Sequence, residues 1–395
     1  LHCEVIMRLA IEKKDLLKHI QHLASVVAAK NTSPILTNYL INVDQDTNRV
    51  KITATDLEIT VMVEFAAAVS EGGSIAVSAR EFNEIINMMP DAMIDLARNE
   101  ELLLIQSGKV DFKLLIADHT LFPIIPEPKL DNALTIDAAL LNSMISKTHF
   151  AVSTDVNRAV LTGVCWKIYP NNHLMAATDG RKVAEIKITD AALKPGTEDK
   201  APAEESIFSE PDNGFIEKVI PVKALMFLQK IYDDEIKEVK VVIERNRILF
   251  SYGEYCLFSQ VIEHKYPDYQ KAFDTDLPNK ITIDKAALYT AIRRVALVAP
   301  DDNLRIRFEL ENDRFEVNTT NRDKGDAKQF MDDFSYEGTS TGVSFNNKFM
   351  LAILDAIDSE KVVIKLGSGK DPLMVYNQTT TPGQEITFLL MPLRS

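Results

Sequence analysis

A few short segments of this chain have residue types that could do chemistry. Gly367-Ser-Gly-Lys370 has the composition of a phosphate cradle. A full phosphate loop needs a further Gly five residues before the Gly-Lys pair and a Ser or Thr after the Lys, so that backbone amides and a hydroxyl converge on one anion and its metal. Ile364 and Asp371 occupy those places, and the cradle is incomplete. His19 and His22 stand one helical turn apart and could offer two imidazoles to a metal. No third ligand follows at a useful spacing, so solvated helix histidines are the expectation. Asp233-Asp234, Asp301-Asp302 and Asp332-Asp333 could hold magnesium, but they fall in polar, turn-like stretches where carboxylates are simply hydrated. No Ser or Cys sits in an activating motif. Cys3, Cys165 and Cys256 are far apart and form no C-x-x-C pair, so they read as reduced thiols, not a zinc site or disulfide frame. The expectation is therefore no catalytic residue, no metal and no cofactor.

One charge pattern does recur. Arg80, Lys223 and Lys348 each follow a short apolar strand pattern at the same offset: Ile75-Ala-Val77-Ser78, Val219-Ile-Pro221 and Val343-Ser-Phe345-Asn346. All three fall early in a helix, where a cation is mildly unfavourable with respect to the helix dipole. Recurrence at an unfavourable place suggests a use.

The elements that carry these cations belong to a threefold internal repeat. Its openings are Leu9-Ala-Ile11-Glu12, Leu134-Thr-Ile136-Asp137 and Ile281-Thr-Ile283-Asp284. Aligned on the isoleucine, Leu16, Leu141 and Leu288 share a column, as do Ile20, Ile145 and Ile292. The i, i+4 spacing marks one apolar helix face, and the preceding acid suits a helix N-terminus. A second block ends a strand in each copy at Thr55-Asp56, Thr178-Asp179 and Thr320-Asn321. Each copy is thus expected to be α+β, with two helices and several antiparallel strands. The expected domains are 7–131, 132–278 and 279–395. Residues 1–6 read as an upstream extension, and the acidic, Pro- and Gly-containing stretch near 194–214 as an exposed loop insertion.

The threefold copy, Ala177-Thr178-Asp179-Gly180-Arg181-Lys182, Asn157-Arg158-Ala-Val-Leu161-Thr-Gly163, Tyr266-Pro267-Asp268-Tyr269 and the terminal Met391-Pro392-Leu393-Arg394 together resemble the β sliding clamp family of bacterial DNA polymerase III. The resemblance covers essentially all of residues 7–395. It implies three clamp-type domains per chain in a head-to-tail homodimeric ring, with helices lining a central hole and antiparallel sheets outside. It implies a cytoplasmic, non-catalytic accessory subunit of a DNA-directed DNA polymerase holoenzyme. That subunit encircles duplex DNA without regard to sequence. Polymerases and the clamp loader attach to it through short peptides. No membrane is involved.

The resemblance also assigns residues. DNA-facing cations would be Lys30, Arg80, Lys147, Arg158, Lys223, Arg293, Arg294 and Lys348; Lys147 and Arg294 share a column with His22 on the first helices. Leu161, Thr178, Gly180, Arg181 and Val183 would form one wall of a peptide groove. Pro267, Pro372, Met391, Pro392, Leu393 and Arg394 would complete it, with pockets for the Leu and Phe anchors of an extended peptide. The family often has His then Arg after this turn and Leu next. Arg181, Lys182 and Val183 stand there here, which implies a more cationic groove and a different peptide preference.

Bulk composition agrees once charge is apportioned. A chain of 395 residues allows about two to four domains. With 46% hydrophobic residues it can bury large cores, which excludes general disorder. No apolar stretch reaches the roughly 18–20 residues that span a bilayer. The 58 acidic against 44 basic side chains, net −14, argue at first sight against a nucleic-acid partner. An average hides cationic helices on an acidic body, whose remaining surface would repel DNA. An enzyme of three α+β units is disfavoured by the missing catalytic motifs. A repeat scaffold that binds only proteins is disfavoured by the cationic columns.

Overall fold

The computed structural model describes residues 7–27, 33–131, 133–169, 172–189, 215–311 and 313–393. The expected extension 1–6, the acidic insertion near 194–214, Lys30 and Arg394 lie outside the described residues.

Among the described residues each sequence copy holds two α-helices. These are α1 (Lys13–Leu23) and α2 (Ala79–Met88), α3 (Ala138–Thr148) and α4 (Val222–Lys230), and α5 (Lys285–Ala296) and α6 (Asn347–Ala356). The aligned columns are the buried faces: Leu16, Ile20, Leu141, Ile145, Leu288 and Ile292 are all at most 2% exposed. The acidic column starts the first helices unevenly. Asp137 accepts from the Leu140 N–H at 2.9 Å and Asp284 from the Ala287 N–H at 2.7 Å, whereas Glu12 makes no side-chain cap. Glutamate is one methylene longer and is a poorer N-cap.

The chain folds into two compact units, Leu1–Leu140 with Lys223–Val261, and Leu141–Val222 with Ile262–Ser395. The middle sequence copy is therefore divided between them. The reason lies in strand pairing. In the first unit, Tyr255–Gln260 pairs antiparallel with Ile59–Ala66, so a thirteen-stranded sheet runs through residues of two copies. In the second, Lys182–Ile188 pairs with Gln384–Leu390 inside a nine-stranded sheet. Each pairing satisfies backbone groups that an isolated copy would leave as an open sheet edge. The second unit also contains a four-stranded sheet, where Phe308 packs edge-on against Phe315 and Phe345 at 4.9 and 4.5 Å.

One expectation is corrected here. His19 is not a solvated helix histidine: it is 4% exposed and stacks on Phe65 at 4.5 Å. His19 and His22 both bond the Tyr255 hydroxyl at 2.8 Å. They hold α1 against the sheet. The described residues contain no cluster of three or more His, Cys, Asp or Glu side chains placed to hold a metal.

Candidate partner groove and cationic positions

In the second unit, the strand His173–Thr178 ends in a tight turn before Lys182–Ile188 begins. Its residue types dictate its shape. Thr178 Oγ1 donates to the Lys182 carbonyl at 2.7 Å and accepts from the Gly180 N–H at 3.0 Å. Asp179 Oδ1 accepts from the Arg181 and Lys182 N–H groups at 2.7 and 3.0 Å, and its other oxygen pairs with the Lys182 ammonium. Gly180 sits at φ +87°, a left-handed conformation that glycine adopts without cost. The Thr178 N–H, pointing inward, donates to the Tyr266 hydroxyl at 2.9 Å.

The chain's tail lies on this turn. Lys182 faces Leu390 in the sheet, and the Met391 N–H then donates to the Arg181 carbonyl at 2.8 Å. Two residues later the Leu393 N–H donates to the Ser344 carbonyl at 2.7 Å. Arg181, Met391, Pro392 and Leu393 line an open cleft of about 610 Å³ together with Asn303, Asn346, Phe349 and Asp302. Lys182 reaches over the Phe349 ring at 4.2 Å from its centroid. Below the turn is an apolar cluster containing Leu161, Val183, Tyr266, Tyr269, Met374 and Leu389. Tyr269 donates to Glu185 Oε2 at 2.6 Å, and burial pushes the hydroxyls of both tyrosines to higher pKa. Cys165 is in the same cluster, and burial pushes its thiol up to about 12, so it is not a nucleophile.

The expected groove residues therefore separate into layers. Gly180, Arg181 and Met391 are exposed at the surface, with Pro392 and Leu393 half-buried beside them. Thr178, Leu161 and Val183 are buried beneath. Pro267 is exposed next to buried Tyr266, and Pro372 is buried ahead of Leu373, which pairs with Leu390. The sequence expectation missed Asn303, Asn346 and Phe349. Asn346 and Phe349 lie close to Lys348 in the chain, but the column through Lys348 carries only a charge signal.

The expected cations are placed very differently from one another. Lys147 is 7% exposed, and its ammonium bonds the Ala356 carbonyl at 2.7 Å and the Asp358 carboxylate. Its ammonium is thus engaged within the chain, by a carboxylate that is itself exposed. Lys223 is likewise committed, to Asp56 and to the Val26 carbonyl at 3.2 Å. Arg158 is turned onto the Thr178–Lys182 turn: it donates to the Asp179 carbonyl at 3.0 Å and pairs with Asp155 at 3.3 Å. In each case a carboxylate within reach outcompetes bulk water for the cation. Arg80 is exposed and makes only an i, i+4 pair with Glu84 at 3.0 Å. Such an exposed pair is screened by water and salt and yields readily to another anion. Arg293 and Arg294 are exposed in the last turn of α5, where the dipole favours them, and Lys348 is exposed in the first turn of α6. None of these three side chains has a partner among the described residues.

Comparison with known proteins points one way. Models of the DNA polymerase III beta subunit match the chain in order: the N-terminal domain over residues 7–126, the central domain over 135–200 and 203–268, and the C-terminal domain over 270–394. A beta sliding clamp of Staphylococcus aureus is 29% identical over 99% of this chain and 100% of its own length. The DNA polymerase sliding clamp of Bacillus subtilis superposes with a TM-score of 0.86 at 26% identity, covering 98% of this chain and 99% of that one. A sliding clamp from Bartonella birtlesii, bound to griselimycin, gives 0.87 at 25% identity, covering 98% and 100%.

Proposed function

The chain belongs to the DNA polymerase III beta subunit family, and on that premise we propose that two copies close head to tail into a ring around duplex DNA. Its function is that of a sliding clamp, a non-catalytic accessory subunit that confers processivity on the polymerase. A heterologous contact that closes by rotation makes a ring, whereas one that does not close makes a filament. The hole would be lined by exposed cations that keep no strong partner of their own, namely Arg80, Arg293, Arg294 and Lys348. Few, hydrated, sequence-independent phosphate contacts allow sliding, and the surplus of negative charge elsewhere discourages DNA from other surfaces. Work on replicating DNA places such a protein in the cytoplasm.

Partners would dock through short extended peptides in the cleft on the Thr178–Lys182 turn. The observation that carries this is the Met391 N–H bond to the Arg181 carbonyl, which sets an apolar tail beside a cationic turn. Apolar anchors would seat against Met391, Pro392 and Phe349, and an acidic residue would meet Arg181. The test is to load the protein on primed circular DNA with a clamp loader and ATP and to measure polymerase product length. Longer products are expected, and no gain over polymerase alone refutes the proposal. Sedimentation that shows only monomer at micromolar concentration refutes the ring.

A further inference from the structure

The first unit contains a turn built like the one at Thr178–Lys182. Thr55 Oγ1 donates to the Ile59 carbonyl at 3.0 Å and accepts from the Leu57 N–H at 3.1 Å. Asp56 Oδ1 accepts from the Glu58 and Ile59 N–H groups at 3.0 and 2.8 Å. Bond for bond, Leu57 stands where Gly180 stands and Glu58 where Arg181 stands. The backbone agrees, with Leu57 at φ +75° against +87° for Gly180. Leucine is disfavoured in that conformation and glycine is not. Yet the leucine side chain is 60% exposed, so it is not held there by packing in the core.

This leucine lines a cleft of about 190 Å³ together with Ile124 of the Pro123–Pro126 segment. Ile124 is 98% exposed. Phe258, 9% exposed, belongs to the apolar cluster with Met62 and Leu249, against which Ile125 packs. Two large, solvent-facing aliphatic side chains lining one small cleft with an aromatic form an apolar surface that water covers poorly. The charge of the cleft is also defined. Arg247 is neutralised by Glu244, at 3.1 Å and through a second, shorter contact. The Glu58 carboxylate is exposed and has no side-chain partner among the described residues. The cleft thus has one uncompensated negative charge, where the turn in the second unit presents Arg181.

We infer that the Thr55–Thr60 turn is a second peptide-docking cleft, selective for extended segments that pair one aliphatic or aromatic anchor with a neighbouring Lys or Arg. The anchor enters between Leu57 and Ile124, and the basic residue meets Glu58. The two turns of one chain then sort partners by charge: acidic anchored peptides to Arg181, basic anchored peptides to Glu58. The inference borrows from the proposed groove only the idea that such a turn takes a peptide.

The test is fluorescence anisotropy on the full chain with three short labelled peptides. One has a Leu-Phe anchor flanked by Arg, one has the same charge with Ser in place of the anchor, and one has the Leu-Phe anchor flanked by Asp. The basic anchored peptide is expected to bind and the anchorless one not to. Leu57→Gly and Glu58→Lys should each weaken binding of the basic anchored peptide about tenfold. Glycine suits the left-handed turn, so Leu57→Gly keeps the fold while removing the anchor's wall. Met391→Ala should leave the basic peptide unaffected and weaken the acidic one. Equal binding of the anchorless peptide, unchanged affinity in both turn variants, loss of the basic peptide in Met391→Ala, or no binding at all overturns the inference. Failure of the acidic peptide alone counts against the groove at Arg181 and leaves the second cleft standing.

Discussion

Removing a single hydroxyl tests how the Thr178–Lys182 turn is held. The Tyr266 hydroxyl accepts the Thr178 N–H at 2.9 Å, with Tyr266 and Thr178 both 4% exposed. In Tyr266→Phe the ring and its packing remain, but the amide loses its acceptor and no water can reach it. A hydrogen bond is worth about 1 kcal/mol net, and orphaning a buried donor costs about 1–3 kcal/mol, so the variant should lose roughly 1–3 kcal/mol. Trp166 is the chain's one tryptophan, fully buried in the strand Gly163–Ile168 of the same unit. Its fluorescence in a urea titration therefore reports that unit's unfolding. The midpoint should fall without a change in slope. Tyr289→Phe is the control: its hydroxyl makes only an exposed 3.5 Å contact with Asp355, and its loss should stay within about 0.5 kcal/mol. The Thr178 amide should also exchange with deuterium faster in Tyr266→Phe. A loss in Tyr266→Phe no larger than the control's would mean that Tyr266 does not support the turn.

Charge reversal of Arg293 and Arg294 to Glu should shorten retention on circular DNA and lower the salt dependence of binding by about two units of logarithmic slope; Lys147→Met should leave retention unchanged, because that ammonium is committed to Asp358. Equal effects from both would contradict the division into open and internally paired cations. Deleting Met391 to Arg394 should abolish binding of polymerase peptides while sedimentation still shows the dimer, and retained binding would refute the groove. Burial, aided by Lys18 and His22, lowers His19 from 6.5 to about 4, and burial alone does the same for His173. The unfolded chain thus binds protons between those values that the fold excludes, so stability is full above pH 6.5 and falls as pH drops toward 4. The loss approaches roughly 3 kcal/mol per group below pH 4, and about 2 kcal/mol of it is already present at pH 5. Urea titrations at pH 7 and pH 5 measure it, and a flat profile would mean these histidines are hydrated.

Much of the fold is legible in local spacing. The columns through Leu16 and Ile20 mark the buried helix faces because helical periodicity is a property of neighbouring residues. Thr178-Asp179-Gly180 specifies its own turn, since the Thr178 and Asp179 side chains bond backbone groups within five residues. More distant groups then support it: the Tyr266 hydroxyl, 88 residues away, Arg158 and the Met391 amide. The cations were the least legible part. Lys147 and Lys223 share their columns with Arg294 and Lys348, yet carboxylates at Asp358 and Asp56 claim them from 211 and 167 residues away. No pattern on the helix announces such a partner. The burial of His19 is illegible for the same reason: Phe65 and Tyr255 pack on it, and neither is near it in the chain.

What the sequence by itself determined is the threefold α+β copy, the helix faces, the self-bonded turns and the family to which they belong. These depend on periodicity and on side chains reaching their own backbone. Only the tertiary structure decided which strands cross from one copy to the next, which cations stay open to solvent, and that the Thr55 turn presents a leucine and a free carboxylate beside an apolar cleft. Those outcomes depend on groups distant in the chain competing for the same donor, acceptor or apolar surface, and that competition is settled only when the chain has folded.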